Sequence, residues 1–239
     1  MPRRPRLDAE GILHHVMVRG IERCTIFRDD KDLGRFMDRL EKQAESTGTK
    51  VYAWALIPNH FHLLIRSGTA GISTFMRRLL TGYAVTYNRR HNRCGHLFQN
   101  RYRSIICDED SYLLELVRYI HLNPIRAHIV DTMEELDRYR WSGHKSLIAK
   151  QPLAWQDRER VLGYFGKTEQ IARQNYRRYV AEGISQGHRP ELTGGGLIRS
   201  LGIKNKTEFK MADHVLTDER VLGTGDFVKE ITTVRLIVE

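Results

Sequence analysis

The run KVYAWALIPNHFHLLIR, Lys50 to Arg66, restricts the possible folds more than any other part of the chain. Two apolar stretches rich in β-branched and aromatic residues flank Pro58–Asn59, a dipeptide suited to a tight turn. The run therefore predicts an antiparallel hairpin with strands over KVYAWALI and HFHLLIR. Side chains alternate along a strand, so His60 and His62 share one face while Phe61 and Leu63 take the other. Two imidazoles so placed have the geometry of a two-pronged metal ligand. On the motif alone, a pair of core histidines fits as well.

Elements of matching kind surround the hairpin. ILHHVMVRG (Ile12 to Gly20) reads as a first strand. The segment DDKDLGRFMDRLEKQAESTG then spaces Leu33, Phe36, Met37 and Leu40 at helical intervals and stops at Gly48. After the hairpin, GISTFMRRLLTGYAVTYNRR returns to helical spacing, and HLFQNRYRSIIC reads as a fourth strand. The order β-α-β-β-α-β is the split βαβ pattern, which predicts an α+β, ferredoxin-like antiparallel sheet with helices on one face. A helix is expected from about Glu109 to Asn123, ended by Pro124. From Thr132 the chain reads as loop-rich, with Trp141, Ser142 and Gly143 packed back on the domain. Residues 152–182 look helical, a glycine run at 194–196 marks a mobile connection, and short helices are expected over 200–209 and 218–231. The predicted organisation is a catalytic domain over 1–150 and a mainly helical extension over 151–239, expected to assist DNA binding.

Charge indicates the partner. From Ser46 to Cys107 there is no Asp or Glu, while Lys50, Arg66, Arg77, Arg78, Arg89, Arg90, Arg93, Arg101 and Arg103 supply nine positive charges. Solvated faces normally mix both signs, so a one-sign window of this length points to a polyanion, nucleic acid above all. No apolar run approaches the roughly 18 residues that span a bilayer, and the basic start MPRRPR leads into no secretory signal. A cytoplasmic, nucleoid-associated protein without a membrane partner is expected. Cys24, Cys94 and Cys107 form no C-x-x-C pair and suggest neither a disulfide framework nor a zinc ribbon.

The chemistry-bearing residues converge on the same region. Tyr119 and Asn123 are four positions apart and share a helix face, and the neighbouring apolar stripe would pack that helix on the sheet. Two imidazoles and an amide oxygen would hold one divalent cation with positions left open. That mixed set suits Mg²⁺ or Mn²⁺ better than structural zinc. A tyrosine beside a metal in a basic groove suggests covalent phosphoryl chemistry, in which Tyr119 takes the 5′-phosphate and leaves a free 3′-hydroxyl. A half-buried helix aromatic is the plainer reading of Tyr119.

PNHFHLLI, LFQNRYRS and RYIHLNPIRA together resemble the HUH single-tyrosine transposases, most closely the REP-associated tyrosine transposases. HHVMVRG and IFRDDKD fit the same pattern, so the resemblance covers roughly residues 5 to 150. It implies that His60 and His62 bind the metal with Asn123 as third ligand and that Tyr119 is the nucleophile. It also implies that the substrate is single-stranded DNA beside imperfect, REP-like palindromic hairpins, cut and rejoined without an external energy source. Ile21 departs from the pattern, since many relatives have a polar residue after the Arg-Gly pair. Arg19, Arg77, Arg78, Arg101 and Arg103 are the candidate DNA contacts. The same sheet could instead serve a non-catalytic single-strand binding module, with Tyr102 stacking on bases. A relaxase or replication-initiator nickase would share the chemistry. Monomer and homodimer both remain open. In the extension, NYRRYVAEG either clamps a hairpin stem or packs on the domain.

Overall fold

The computed structural model describes residues 8–187, 189, 192, 220–223, 227 and 231. The glycine run at 194–196 and the segment 200–209 lie outside these residues, and 218–231 is described only in part. Elements follow in the order β1 (Leu13–Arg19), α1 (Asp30–Thr47), β2 (Lys50–Ile57), β3 (His60–Arg66), α2 (Gly71–Arg90), β4 (Arg103–Cys107) and α3 (Glu109–His121). The shorter helices α4 (Asn123–Arg126), α5 (Met133–Arg138), α6 (Gly143–Ile148) and α7 (Arg158–Leu162) come next. Helix α8 (Glu169–Glu182) and a two-residue strand β5 (Val221–Leu222) complete the order.

One sheet organises the chain, with strand order β2-β3-β1-β4-β5. β3 sits between β1 and β2 and is antiparallel to both, so the β1–α1–β2 connection is split by the hairpin's second strand. Helix α1 begins where the Asp29 carboxylate accepts from the amides of Lys31 and Asp32, and it ends at Gly48, whose φ of 66° suits glycine. The two helices of this unit cover one face as expected. Phe36 packs at its centre, with ring centroids 4.7 Å from Phe61 and 5.1 Å from Tyr83. A bulge between Val51 and Ala53 turns Tyr52 and Ala53 to the opposite face, while Val51 and Trp54 remain with α1 and α2.

The opposite face is covered by α3 and the helices after it. Leu113, Leu116, Val117 and Ile120 of α3 share a core with Val161, Leu162, Ala172, Tyr176 and Val180, so helices on both sides of residue 150 build one cluster. The free edge of β2 is also closed from this part of the chain. The Leu56 amide donates to the Trp141 carbonyl at 2.9 Å, and the Asp157 amide donates to the Val51 carbonyl at 2.9 Å. Trp141 and Ser142 thus pack back on the domain as the sequence suggested, and part of the edge's backbone is paired.

Several boundaries differ from expectation. β4 starts at Arg103, and His96–Tyr102 forms only a single bridge, Phe98 to Gly20, before the strand proper. The helix break falls at Leu122, and Pro124 opens the next turn. The loop-rich stretch holds α5 and α6, capped by the Thr132 and Ser142 side chains. The helical stretch 152–182 divides into α7 and α8. Val221–Leu222, expected as helix, pairs in parallel with β4.

Gly143 marks a close approach between the sheet and the later helices. A Cβ there would lie 2.8 Å from Gln156 Nε2 and His121 Nε2 and 2.9 Å from Trp54 Nε1. These groups cannot swing aside, because Trp54 Nε1 donates to Gln156 Oε1 at 3.1 Å and Gln156 Nε2 donates to the Tyr52 carbonyl at 3.0 Å. Gly143→Ala is therefore expected to cost about 1–3 kcal/mol by overpacking, read as a lowered midpoint in urea unfolding. An unchanged midpoint would show that this junction is loose.

Candidate active site

The register of β1 against β3 sets Arg19 opposite His60 and Met17 opposite His62. All four side chains point to the α3 side of the sheet, which is the period-two consequence predicted for the histidines. His60 and His62 have ring centroids 5.3 Å apart. With Met17, Arg19, Gln99, Asn100, Arg101 and Arg103 they line a cleft of about 330 Å³. A larger hollow, about 960 Å³, lies between the end of α1 and α7–α8, and none of the candidate chemical groups lines it.

Burial keeps the imidazoles neutral. The His60 pKa is pushed down to about 4 by burial and then by Arg19. That of His62 is held well below the ordinary value by burial first, then by His15, His60, Arg19 and Arg126. Neutral imidazoles keep a ring lone pair, which ligation requires. His15, on the same face of β1, places Nε2 3.0 Å from His62 Nδ1, and its rings stack at 5.3 Å.

Helix α3 brings Tyr119 to this group, with its ring centroid 6.2 Å from His62 and 5.9 Å from His15. Arg126 donates to the Tyr119 carbonyl at 2.9 Å and lies 4.8 Å over its ring. That contact sets a positive charge against the ring on which negative charge would develop. Leu122 keeps helical geometry, so the four-residue offset to Asn123 survives the break between α3 and α4. Asn123 is buried, and its Nδ2 has no hydrogen-bond partner. Because amide oxygen and nitrogen exchange places by a flip, that position can equally present an acceptor.

Among the described residues no cluster of three or more His, Cys, Asp or Glu is arranged to hold a metal. An ion here would be held by two imidazoles, the orphaned amide and oxygens from outside the chain. Neutral rings and an unpartnered buried amide fit that role.

The predicted DNA contacts separate into two groups. Arg19, Arg101 and Arg103 line the histidine cleft, whereas Arg77 and Arg78 are exposed on α2, which covers the other face of the sheet. Tyr102 is buried, its hydroxyl 3.4 Å from Ser73 Oγ, and belongs to the α1–α2 core rather than to a stacking surface. His121 is buried, with Nδ1 2.7 Å from the Tyr176 hydroxyl, so its role is packing. In NYRRYVAEG, Tyr176 is buried, Arg177 pairs with Asp137 and Glu134, and the Tyr179 hydroxyl donates to Glu115 at 2.9 Å, so these side chains are committed to packing. The sequence reading assigned no role to His15, Asn59 or Arg126. Strand alternation in HHVMVRG was the available signal for His15, and the seven-residue spacing from Tyr119, two helical turns, was that for Arg126.

Residues 9–123, which carry strands β1–β4, the paired histidines and Tyr119, match the family model of IS200-like transposases. The chain is similar in fold to a solved REP-associated tyrosine transposase bound to a REP hairpin, with a TM-score of 0.50 and 16% identity over 62% of this chain and 86% of that one. A candidate transposase from Deinococcus radiodurans R1 aligns with a TM-score of 0.36 and 18% identity over 48% of this chain and 93% of that one. No curated protein sequence matches significantly. Among the described residues no helix is long and apolar enough to cross a membrane.

Proposed function

We propose that this protein is a transposase, a metal-dependent single-strand DNA endonuclease and strand transferase that acts beside hairpins through a 5′-phosphotyrosine intermediate. The observation that carries this reading is the convergence of Tyr119 and His62, 6.2 Å apart by ring centroid, with His62 in a cleft lined by Arg19, Arg101 and Arg103. The three arginines hold the phosphates of the strand. Tyr119 Oη forms a bond to phosphorus as the bond to the 3′-oxygen breaks. The phenol gives up a proton and the departing 3′-oxygen gains one, so one ester replaces another and rejoining needs no energy source. A Mg²⁺ or Mn²⁺ ion held by His60, His62 and Asn123 would supply charge stabilisation at the phosphate. The hairpin preference follows from the family and from the relative solved with a REP hairpin. Incubation with a pool of single-stranded hairpins and Mn²⁺, followed by sequencing of DNA left covalently attached, tests the reading. Hairpin binding without any adduct would favour a non-catalytic binding module.

The ligand assignment has its own expected result. His60→Ala and His62→Ala should each abolish Mn²⁺ binding together with cleavage. Asn123→Ala should weaken binding less, because water can replace an amide oxygen more readily than an imidazole. Calorimetric Mn²⁺ titration of the metal-free protein checks this, and full cleavage in excess chelator would contradict it.

A further inference from the structure

We infer that His15 and Asn59 are positioning residues that lock both ligand histidines with the proton on Nδ1, leaving Nε2 of each free to face an ion. The inference rests on the metal-site reading above for its purpose, but the proton order follows from hydrogen-bond chemistry alone.

The first chain of contacts starts at a backbone carbonyl. His15 Nδ1 lies 3.1 Å from the Leu192 carbonyl oxygen. A carbonyl only accepts, so His15 Nδ1 must carry the hydrogen. His15 is fully buried, and neither of its ring nitrogens meets an acid that would hold a second proton, so its Nε2 keeps a lone pair. The atom facing that lone pair is His62 Nδ1, at 3.0 Å, which must in turn be the donor. His62 is buried among His15, His60 and Tyr119 with no acid against its ring, so the hydrogen on Nδ1 leaves Nε2 bare.

The second chain reaches the same result independently. Asn59 Nδ2 donates to the Arg23 carbonyl at 3.3 Å, an acceptor that fixes the orientation of the amide. Its Oδ1 is thereby turned to His60 Nδ1 at 2.6 Å, and an amide oxygen can only accept. His60 thus carries its hydrogen on Nδ1 and keeps Nε2 unprotonated. The two chains share no residue, yet both end in the same tautomer. Partners of this kind set ring orientation and raise ligand basicity at metal sites.

Long-range proton–nitrogen NMR on the metal-free wild-type protein, labelled in histidine, reads the tautomers directly. Both His60 and His62 are expected to show a pyridine-type Nε2 and a protonated Nδ1. In parallel, His15→Phe keeps a ring of similar size and removes the acceptor. It is expected to weaken Mn²⁺ binding roughly 10–100-fold with little change in melting temperature, and His15→Gln, which restores an acceptor oxygen, should recover part of the loss. Asn59→Asp should bind as tightly as wild type, and Asn59→Ala should not. A protonated Nε2 at His62, or equal Mn²⁺ affinity in His15→Phe, would overturn the inference. A wild-type chain with the assigned tautomers but no Mn²⁺ binding would retire the metal-site reading and leave the proton lock standing.

Discussion

Replacing Tyr119 by phenylalanine is expected to abolish the covalent protein–DNA adduct and to lower strand cleavage by roughly 10³-fold or more, as loss of a sole nucleophile does. The substitution isolates chemistry from packing. The ring stays in the buried space beside His15 and His62 and under Arg126. Loss of one hydroxyl should cost at most about 1.5 kcal/mol, so the variant should melt as a folded protein and bind hairpin DNA nearly as wild type does. Denaturing electrophoresis of labelled DNA after reaction gives the adduct, and a melting curve gives the control. Undiminished cleavage would remove Tyr119 from its role. Tyr102 is a weak substitute, because it is buried on the other face of the sheet. Tyr112, seven residues earlier on α3, would then be the next nucleophile to test.

Local rules carried the fold as far as local contacts determine it. β2, β3 and α2 begin and end where apolar period and turn chemistry place them, because Pro58–Asn59 and the helical stripe from Ile72 to Tyr83 need no distant partner. The two-residue spacing of His60 and His62 and the four-residue spacing of Tyr119 and Asn123 were readable for the same reason. Non-local pairing was not. Leu97 and Phe98 read as strand, but they meet only the end of β1 and the α1–α2 core. Val221 and Leu222 become strand because β4 offers an open edge more than a hundred residues away in sequence. The link from His15 to His62 depends on the register of β1 against β3, which no window of sequence contains. Helices α5 and α6 had visible caps in Thr132 and Ser142, but each is only six residues long, too short for periodicity to show.

A chain ended at Lys150 is expected to lose its cooperative fold, and with it cleavage, even though every proposed ligand and the nucleophile lie between His60 and Asn123. The charge balance agrees with a structural role for what is removed. The first 150 residues carry 25 basic and 17 acidic residues against 14 and 12 in the remainder, so attraction to phosphate resides in the part that is kept. The core does not divide there. Val161, Leu162, Tyr176 and Val180 pack with the apolar stripe of α3, and each buried side chain of this size contributes about 1.5–3 kcal/mol. Their sum is comparable with the roughly 5–15 kcal/mol that holds a domain together. Polar groups add to the loss. The Tyr176 hydroxyl lies 2.7 Å from His121 Nδ1 and 3.0 Å from His144 Nδ1, and Gln156 joins Trp54 to the Tyr52 carbonyl. Truncation strips Tyr176 from His121, on the helix that carries Tyr119, and Gln156 from β2. Near-ultraviolet circular dichroism and urea unfolding of the truncated chain should show lost tertiary packing. In the full chain, Tyr176→Phe should cost only about 1–3 kcal/mol, for the unsatisfied imidazoles it leaves, and should retain adduct formation. That contrast separates a scaffold from a reactant. A truncated chain that folds and cleaves a short single strand would confine the catalytic unit to residues 1–150. A folded full-length Tyr176→Phe that forms no adduct would show that the later helices act on the chemistry itself.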